Sequence, residues 1–257
     1  MKPIIVIVCL LSIVIPAFSQ DFSPNYEEEK VPEYSLPELF TMKNGKAVSN
    51  KKQWEERRKE ILGLFENHVY GKSPKWDGQI SSKVILEDKN YLNGEATRQV
   101  VRLTLKRGRQ SLDFNLLVFY PNSGKKVPVF LGLNFYGNHT ISSDNQVAVP
   151  ETWIRNNEKM GSFNNQASEK GRGQRIDNWP YEEILGRGYG LATMYYGEID
   201  PDYADGFKDG VHALYPEEKR KPNSWASIAA WAWGLSRVMD FLESEDWVDN
   251  KGGCLGA

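Results

Sequence analysis

The chain has 257 residues, of which 40% are hydrophobic and 12% aromatic, enough to bury a large core and too apolar for a disordered polymer. A formal net charge of −2, with no long run of one sign, excludes the field that gathers nucleic acid or anionic lipid.

At the N-terminus, Lys2 supplies a positive end, residues 4–15 an apolar stretch, and Ala17-Phe18-Ser19 small residues at the two recognition positions. This pattern predicts a signal peptide over residues 1–19, and with it a secreted or periplasmic protein free of the membrane once the signal is removed. The apolar run is shorter than the roughly 20 residues a spanning helix needs. Val8 before Cys9 argues against a lipoprotein site, so the mature chain keeps only Cys254 and forms no internal disulfide.

Residues 20–48 carry Pro24, Pro32 and Pro37 without periodicity and read as an extended arm. Asn50 then caps a helix, with Gln53 as the reciprocal partner of a capping box. Trp54, Ile61, Leu62, Phe65 and Val69 share one face of that helix, and Gly71 and Pro74 end it. The arm and helix form one region over residues 20–75, and a larger domain follows over 76–257.

Two stretches then alternate at the period of half-buried strands: Val101, Leu103 and Leu105, followed by Leu112, Phe114, Leu116 and Val118. "VPVFLGLNFYG" and, further on, "YGLATMYYG" are apolar on both faces, as strands covered by helices are. Between them a short helix is expected from Asn178 to Arg187, with Pro180 in its first turn. After an acidic loop, Ser224 is placed to cap a helix whose stripe runs through Trp225, Ile228, Ala232, Leu235, Met239 and Leu242. The order predicts an α/β protein, a mixed sheet between helix layers.

In an α/β-hydrolase this helix leads to a strand and a G-x-S-x-G turn that lifts the nucleophile. Gly252-Gly253-Cys254-Leu255-Gly256 matches that pattern with cysteine, but "DWVDNK" before it has no alternating run to make the strand. His68, His139 and His212 all precede it, against the nucleophile-acid-histidine order of this fold. The expectation is therefore a three-layer α/β-hydrolase sandwich truncated before its nucleophile strand.

The stretches "LNFYGNHT", "NWPYEEILGRGYGLATMYYGEIDPDYADGF", "GVHALYPE" and "NSWASIAAWAWGLSRVMDFLESEDWVD", with "ILGLFENHVYGKSP" before them, resemble bacterial glucuronoyl esterases across most of residues 54–249. The resemblance implies a secreted serine-type carboxylic-ester hydrolase acting on glucuronate esters of glucuronoxylan, a related acidic polysaccharide ester being equally in scope. It implies no cofactor. The family's serine, the arginine and lysine that follow it, and its later carboxylate and histidine fall on no residue here. The resembling part is the N-terminal portion only, expected to be inactive alone, and the departure after Asn250 reads as a shifted frame or an assembly break. Two alternatives stand beside it: an acetylxylan esterase, and a non-catalytic carbohydrate-binding module.

Among candidate site residues, Asn138 and His139 follow the most buried strand, where backbone N–H groups of this fold join the oxyanion hole, so they are expected on a substrate-side loop. Asp200, Asp202, Asp205 and Asp209 have a spacing unlike a calcium loop and read as a turn rather than a metal site. Trp225, Trp231 and Trp233 read as core rather than a sugar platform, and Arg172 and Arg175 as an exposed basic loop rather than partners of an acidic sugar.

Overall fold

The computed structural model describes residues 24–216 and 219–251 and the backbone of 254–256; the expected signal peptide lies outside the described residues. Among the described residues, three α-helices, α1 (Lys51–His68), α2 (Tyr181–Gly186) and α3 (Ser227–Leu242), accompany six strands. These are β1 (Gln79–Tyr91), β2 (Ala96–Arg107), β3 (Gln110–Pro121), β4 (Val129–Asn134), β5 (Gly190–Tyr195) and β6 (Cys254–Gly256).

The strands form one sheet in the order β1-β2-β3-β5-β4-β6. β1 to β3 are an antiparallel meander, and β5 joins β3 antiparallel, whereas β4 runs parallel to both β5 and β6. β5 is buried along its whole length, as its two-sided apolar sequence requires. On one face, Val101, Leu103, Leu116, Leu131 and Met194 pack under Trp225, Trp233, Val238 and Leu242. On the other, Leu117, Phe119 and Leu191 pack under Tyr181 and Leu185 of α2, with Tyr181 stacked on Phe119 at 4.8 Å. Each such side chain contributes about 1.5–3 kcal/mol by leaving water.

Two strands escape the sequence reading. β1 is a mostly exposed edge whose charged residues hide its alternation, and irregular register after Val84 and Asp88 blunts it against pairing with other chains. β6 is a short strand made of the cysteine stretch itself; between α3 and it the described residues hold a single bridge, Val127 to Val248, and no strand, as expected. Val127 donates to Trp247 O at 2.9 Å and accepts from Asp249 N at 2.8 Å, so "DWVDNK" already runs beside the start of β4. Cys254 therefore lies within a strand paired to Val129, not at a strand-to-helix turn.

The helices need three further corrections. Asn50 does cap α1, accepting from Gln53 N at 3.0 Å, but Gln53 Oε1 accepts from Ser49 N at 2.8 Å, one residue before the position a capping box uses. The α1 face reads apolar yet Leu62, Phe65 and Val69 are exposed; the arm covers only its first turns, where Arg57 donates to Leu39 O and Phe40 meets Trp54.

Ser224 does not cap α3, which begins three residues later behind Ala226, because residue 224 is held extended in a bridge to Lys72. Trp225 is buried outside the helix, and the buried face of α3 is Ala230, Trp233, Gly234, Val238 and Leu242, with Ile228 left out at 60% exposure. Gly234 sets that rotation: a Cβ there would meet Ile199 Cγ1 at 2.9 Å, so the helix approaches the core by this residue. The short helix expected over residues 178–187 is α2, six residues long, entered through Pro180.

Candidate functional site

Parallel strands β4 and β5 end side by side at Asn134 and Tyr195, and the loops beyond them make one rim of the sheet. Asn134 organises the first loop. Its Oδ1 accepts from Gly137 N at 2.8 Å, closing a tight turn, and its Nδ2 donates to Asn138 Oδ1 at 2.7 Å and Thr193 Oγ1 at 3.2 Å. Asn138 Nδ2 then donates to Asn115 O at 2.8 Å. Gly137 takes φ +94°, where a Cβ would fall 2.7 Å from Pro150, so the turn requires glycine.

The structure thus places Asn138 and His139 on the loop after β4, but turns both side chains inward. Asn138 is 5% exposed and bonded from behind the loop. His139 is fully buried, and neither ring nitrogen has a hydrogen-bond partner among the described residues. Burial, then the nearby Arg172 charge, pulls its pKa down to about 4; the Ser168 backbone opposes this weakly without reaching hydrogen-bond geometry. His139 is therefore neutral near pH 7. Its backbone ties the loop to the next segment: Gly173 N donates to His139 O at 3.0 Å, and Arg175 N to Thr140 O at 2.8 Å.

Glu198, which the sequence reading passed over, faces the same network from the end of β5. Its Oε2 accepts from Asn115 N at 3.0 Å, and it shares with Asn115, Asn138, Tyr195, Ile85 and Val100 the wall of a cavity of about 200 Å³. Burial raises its pKa to about 7, against the Asn115 N–H and the Arg102 charge, which favour the anion. Of Asn134, Asn115 and Glu198 only Asn134 ends a strand; Asn115 lies in the middle of β3 and Glu198 in the turn after β5, so no sequence signal groups them. A second cleft, of about 260 Å³, opens between Asn134, Phe135 and Tyr136 on one side and Arg175, Asn178 and Trp179 on the other.

The remaining candidates separate. Asp205 accepts from the N–H groups of Phe207, Lys208 and Asp209, the turn its sequence suggests. Asp202 pairs with Arg155, and Asp200 is buried 3.6 Å from His212 Nε2. No group of three or more metal-ligating side chains occurs among the described residues. Trp225 and Trp233 are core, and Trp231 donates to Asp200 O at 2.8 Å. Arg172 is not an exposed loop cation: it binds Asp144 O, Val147 O and both oxygens of Glu169. No described helix is long and apolar enough to cross a membrane.

A mixed sheet with helices on both faces and a polar loop at the end of a central parallel strand defines an α/β protein, and strand ends are where ligands of such sheets bind. Comparison with known proteins narrows this. The chain is 39% identical over 242 residues to the carbohydrate esterase MZ0003 of an unknown prokaryotic organism, covering 91% of this chain and 55% of that protein. Over 89% of this chain and 59% of the other, it superposes on the structure of a glucuronoyl esterase from Solibacter usitatus with a TM-score of 0.79 and 39% identity. A 4-O-methyl-glucuronoyl methylesterase of Schizophyllum commune is 24% identical over 213 residues, 82% of this chain and 39% of that protein. No family model matches the chain. It belongs to the carbohydrate esterases, within family 15, which includes glucuronoyl esterases. The chain spans about half the length of the first curated relative it matches. None of these matches supports the acetylxylan alternative.

Proposed function

We propose that the chain forms the N-terminal portion of a secreted, serine-type glucuronoyl esterase that cleaves glucuronate esters of plant cell-wall xylan. The observation that carries this reading is the 39% identity to a carbohydrate esterase over 91% of the chain. The signal-like residues 1–19 supply the argument for export.

In this reading the described residues provide the sheet and the loop after β4, and the nucleophile turn lies beyond Asn250. The hydrogen-bond alternation supports that division of labour. Gly190 N donates to Pro128 O, so even-numbered groups of the β4 segment address β5, while those of Val127 address the 247–249 segment. Continued to the end of β4, this alternation turns the Phe135 N–H toward the β6 side, where this fold's nucleophile strand runs and an oxyanion needs donors. The Asn134–Asn138–Asn115 network holds that loop without using a donor that faces the substrate.

The test is hydrolysis of methyl glucuronate ester by the 257-residue chain and by the chain extended with the reading frame found downstream of codon 250. The extended chain is expected to hydrolyse the ester and the 257-residue chain to be inert, since Cys254 sits in a strand and every histidine precedes it. Hydrolysis by the short chain that disappears on Cys254→Ala overturns the division; an inert extended chain overturns the esterase reading.

A further inference from the structure

We propose that the turn after β5 positions the loop after β4 for ester cleavage, with Glu198 as its positioning residue. The reaction meant is that of the esterase reading; the geometry stands on contacts among the described residues.

β3 pairs with β5 from Leu116 opposite Met194 to Phe119 opposite Leu191, so Asn115 is the first residue of β3 outside that ladder. β5 stops at Tyr195, and the chain turns off through a single 3-10 turn, Tyr196–Glu198. Asn115 lacks a strand partner on that side, and side chains replace it. Its N–H donates to Glu198 Oε2 at 3.0 Å, from the turn after β5, and its carbonyl accepts from Asn138 Nδ2 at 2.8 Å, from the loop after β4. Asn138 Oδ1 accepts in turn from Asn134, whose own Oδ1 accepts from the Gly137 N–H. An unbroken run of hydrogen-bonded groups therefore joins Glu198 to Gly137.

A second contact runs beside it. The Phe135 ring lies 5.0 Å from that of Tyr196, in the same turn as Glu198. The turn thus grips the loop on both sides of Gly137, directly at Phe135 and, through Asn115, at Asn138. It is also the fixed partner of the two. The Tyr196 ring meets Trp231 of α3 edge-on at 4.8 Å, Tyr195 donates its hydroxyl to Trp153 O at 2.8 Å, and Ile199 O accepts from Val211 N at 2.7 Å. Ile199 itself is fully buried against Gly234.

A backbone donor stabilises an oxyanion only if it is in place before the charge develops, and an error of about 1 Å can cost roughly a hundredfold in rate. The Phe135 N–H, the donor that the esterase reading needs, belongs to the gripped segment. Neither Glu198 nor Tyr196 has to reach the substrate to set its place. Glutamine at position 198 offers the Asn115 N–H an acceptor in the same place and is the conservative substitute.

The grip is tested by amide exchange and its use in the reaction by kinetics. In the 257-residue chain, Glu198→Ala is expected to speed exchange at Gly137 about tenfold, the worth of one hydrogen bond, and to leave the amides of β2 as they are. Glu198→Gln restores most of the protection. Glu198→Asp, one methylene short of Asn115, keeps the charge, acts as alanine does, and serves if the alanine variant does not fold. In the extended chain, with methyl glucuronate ester as substrate, Glu198→Ala lowers kcat about tenfold at unchanged KM, and Glu198→Gln returns most of it.

Gly137 exchange unchanged in both Glu198→Ala and Glu198→Asp, or raised equally in β2, overturns the proposal. Faster exchange with kcat intact overturns it too, as does a rise in KM alone, which would assign Glu198 to binding. An extended chain that cleaves no ester while Gly137 responds removes the esterase reading and keeps the grip, whereas ester cleavage without the response does the reverse.

Discussion

Asn138 Nδ2 donates to Asn115 O at 2.8 Å, so the loop after β4 is bonded to β3, a strand that is not its neighbour in the sheet. β5 lies between them, and the bond passes over its end. Replacing Asn138 by Ala removes the side-chain partner of the Asn115 carbonyl and one of the two acceptors of the buried Asn134 amide, which keeps Thr193. The expected cost is about 1–3 kcal/mol in a denaturant titration. Amide exchange at Gly137 should speed up more than exchange in β5, because Asn134 then loses one of the bonds that orient it. Equal acceleration in both places would mean that the network stabilises the sheet and does not hold the loop.

Stability should depend on pH in two opposing ways. Glu198 keeps its proton in the fold up to about pH 7, whereas its ordinary value is 4.5, so the unfolded chain releases a proton that the folded chain retains. Stability from this group is fully present below about pH 4.5 and declines as pH rises through 7. Asp200, raised from 3.8 to about 6 by burial, acts with the same sign over its own range. His139 acts oppositely: unfolded it takes a proton below 6.5, folded only near 4, so stability is lost as pH falls through that interval. Glu198→Gln should flatten the decline between pH 4.5 and 7 by at most about 3 kcal/mol. His139→Gln should flatten the loss between 6.5 and 4. Melting temperatures across pH 4–8 check both slopes, and a Glu198→Gln curve parallel to wild type would contradict the first.

Gly137 and Gly124 separate backbone strain from collision. Both take a positive φ, +94° and +68°, but a Cβ at Gly124 meets nothing within 4 Å, whereas at Gly137 it lies 2.7 Å from Pro150 and 2.9 Å from His139 Nδ1. Gly124→Ala should cost about 1–2 kcal/mol, the left-handed penalty alone. Gly137→Ala should cost more and alter the loop as well, visible as a changed environment for His139 by NMR.

Asn50→Ala should fray the start of α1 by about 1 kcal/mol, because Gln53 N loses its acceptor. Much of α1 is exposed, so the effect belongs in local hydrogen exchange over residues 51–54. A global melting shift of the same size would show that α1 is coupled to the sheet more tightly than its exposure implies.

The sequence by itself determined the local order. Alternation in Val101–Leu105 and Leu112–Val118, two-sided apolarity in β4 and β5, and Asn50 at a helix start are decided by neighbours a few residues away, and they stand in the structure. The same segments carried the resemblance to glucuronoyl esterases that the comparisons support. Tertiary structure alone decided which faces those elements use. Ile228 and Leu62 are apolar and in helical register, yet exposed, because Gly234 lets α3 approach Ile199 by another side and the arm reaches only the first turns of α1. β6 is a strand because β4 offers the backbone of Val129–Leu131 to residues 254–256, an invitation more than a hundred residues away in sequence. The candidate site follows the same rule. Asn138 and His139 mark the loop in sequence, but Asn115, Asn134 and Glu198 acquire their roles only when the middle of β3 is brought beside the ends of β4 and β5, since hydrogen bonds depend on distances that chain order does not contain.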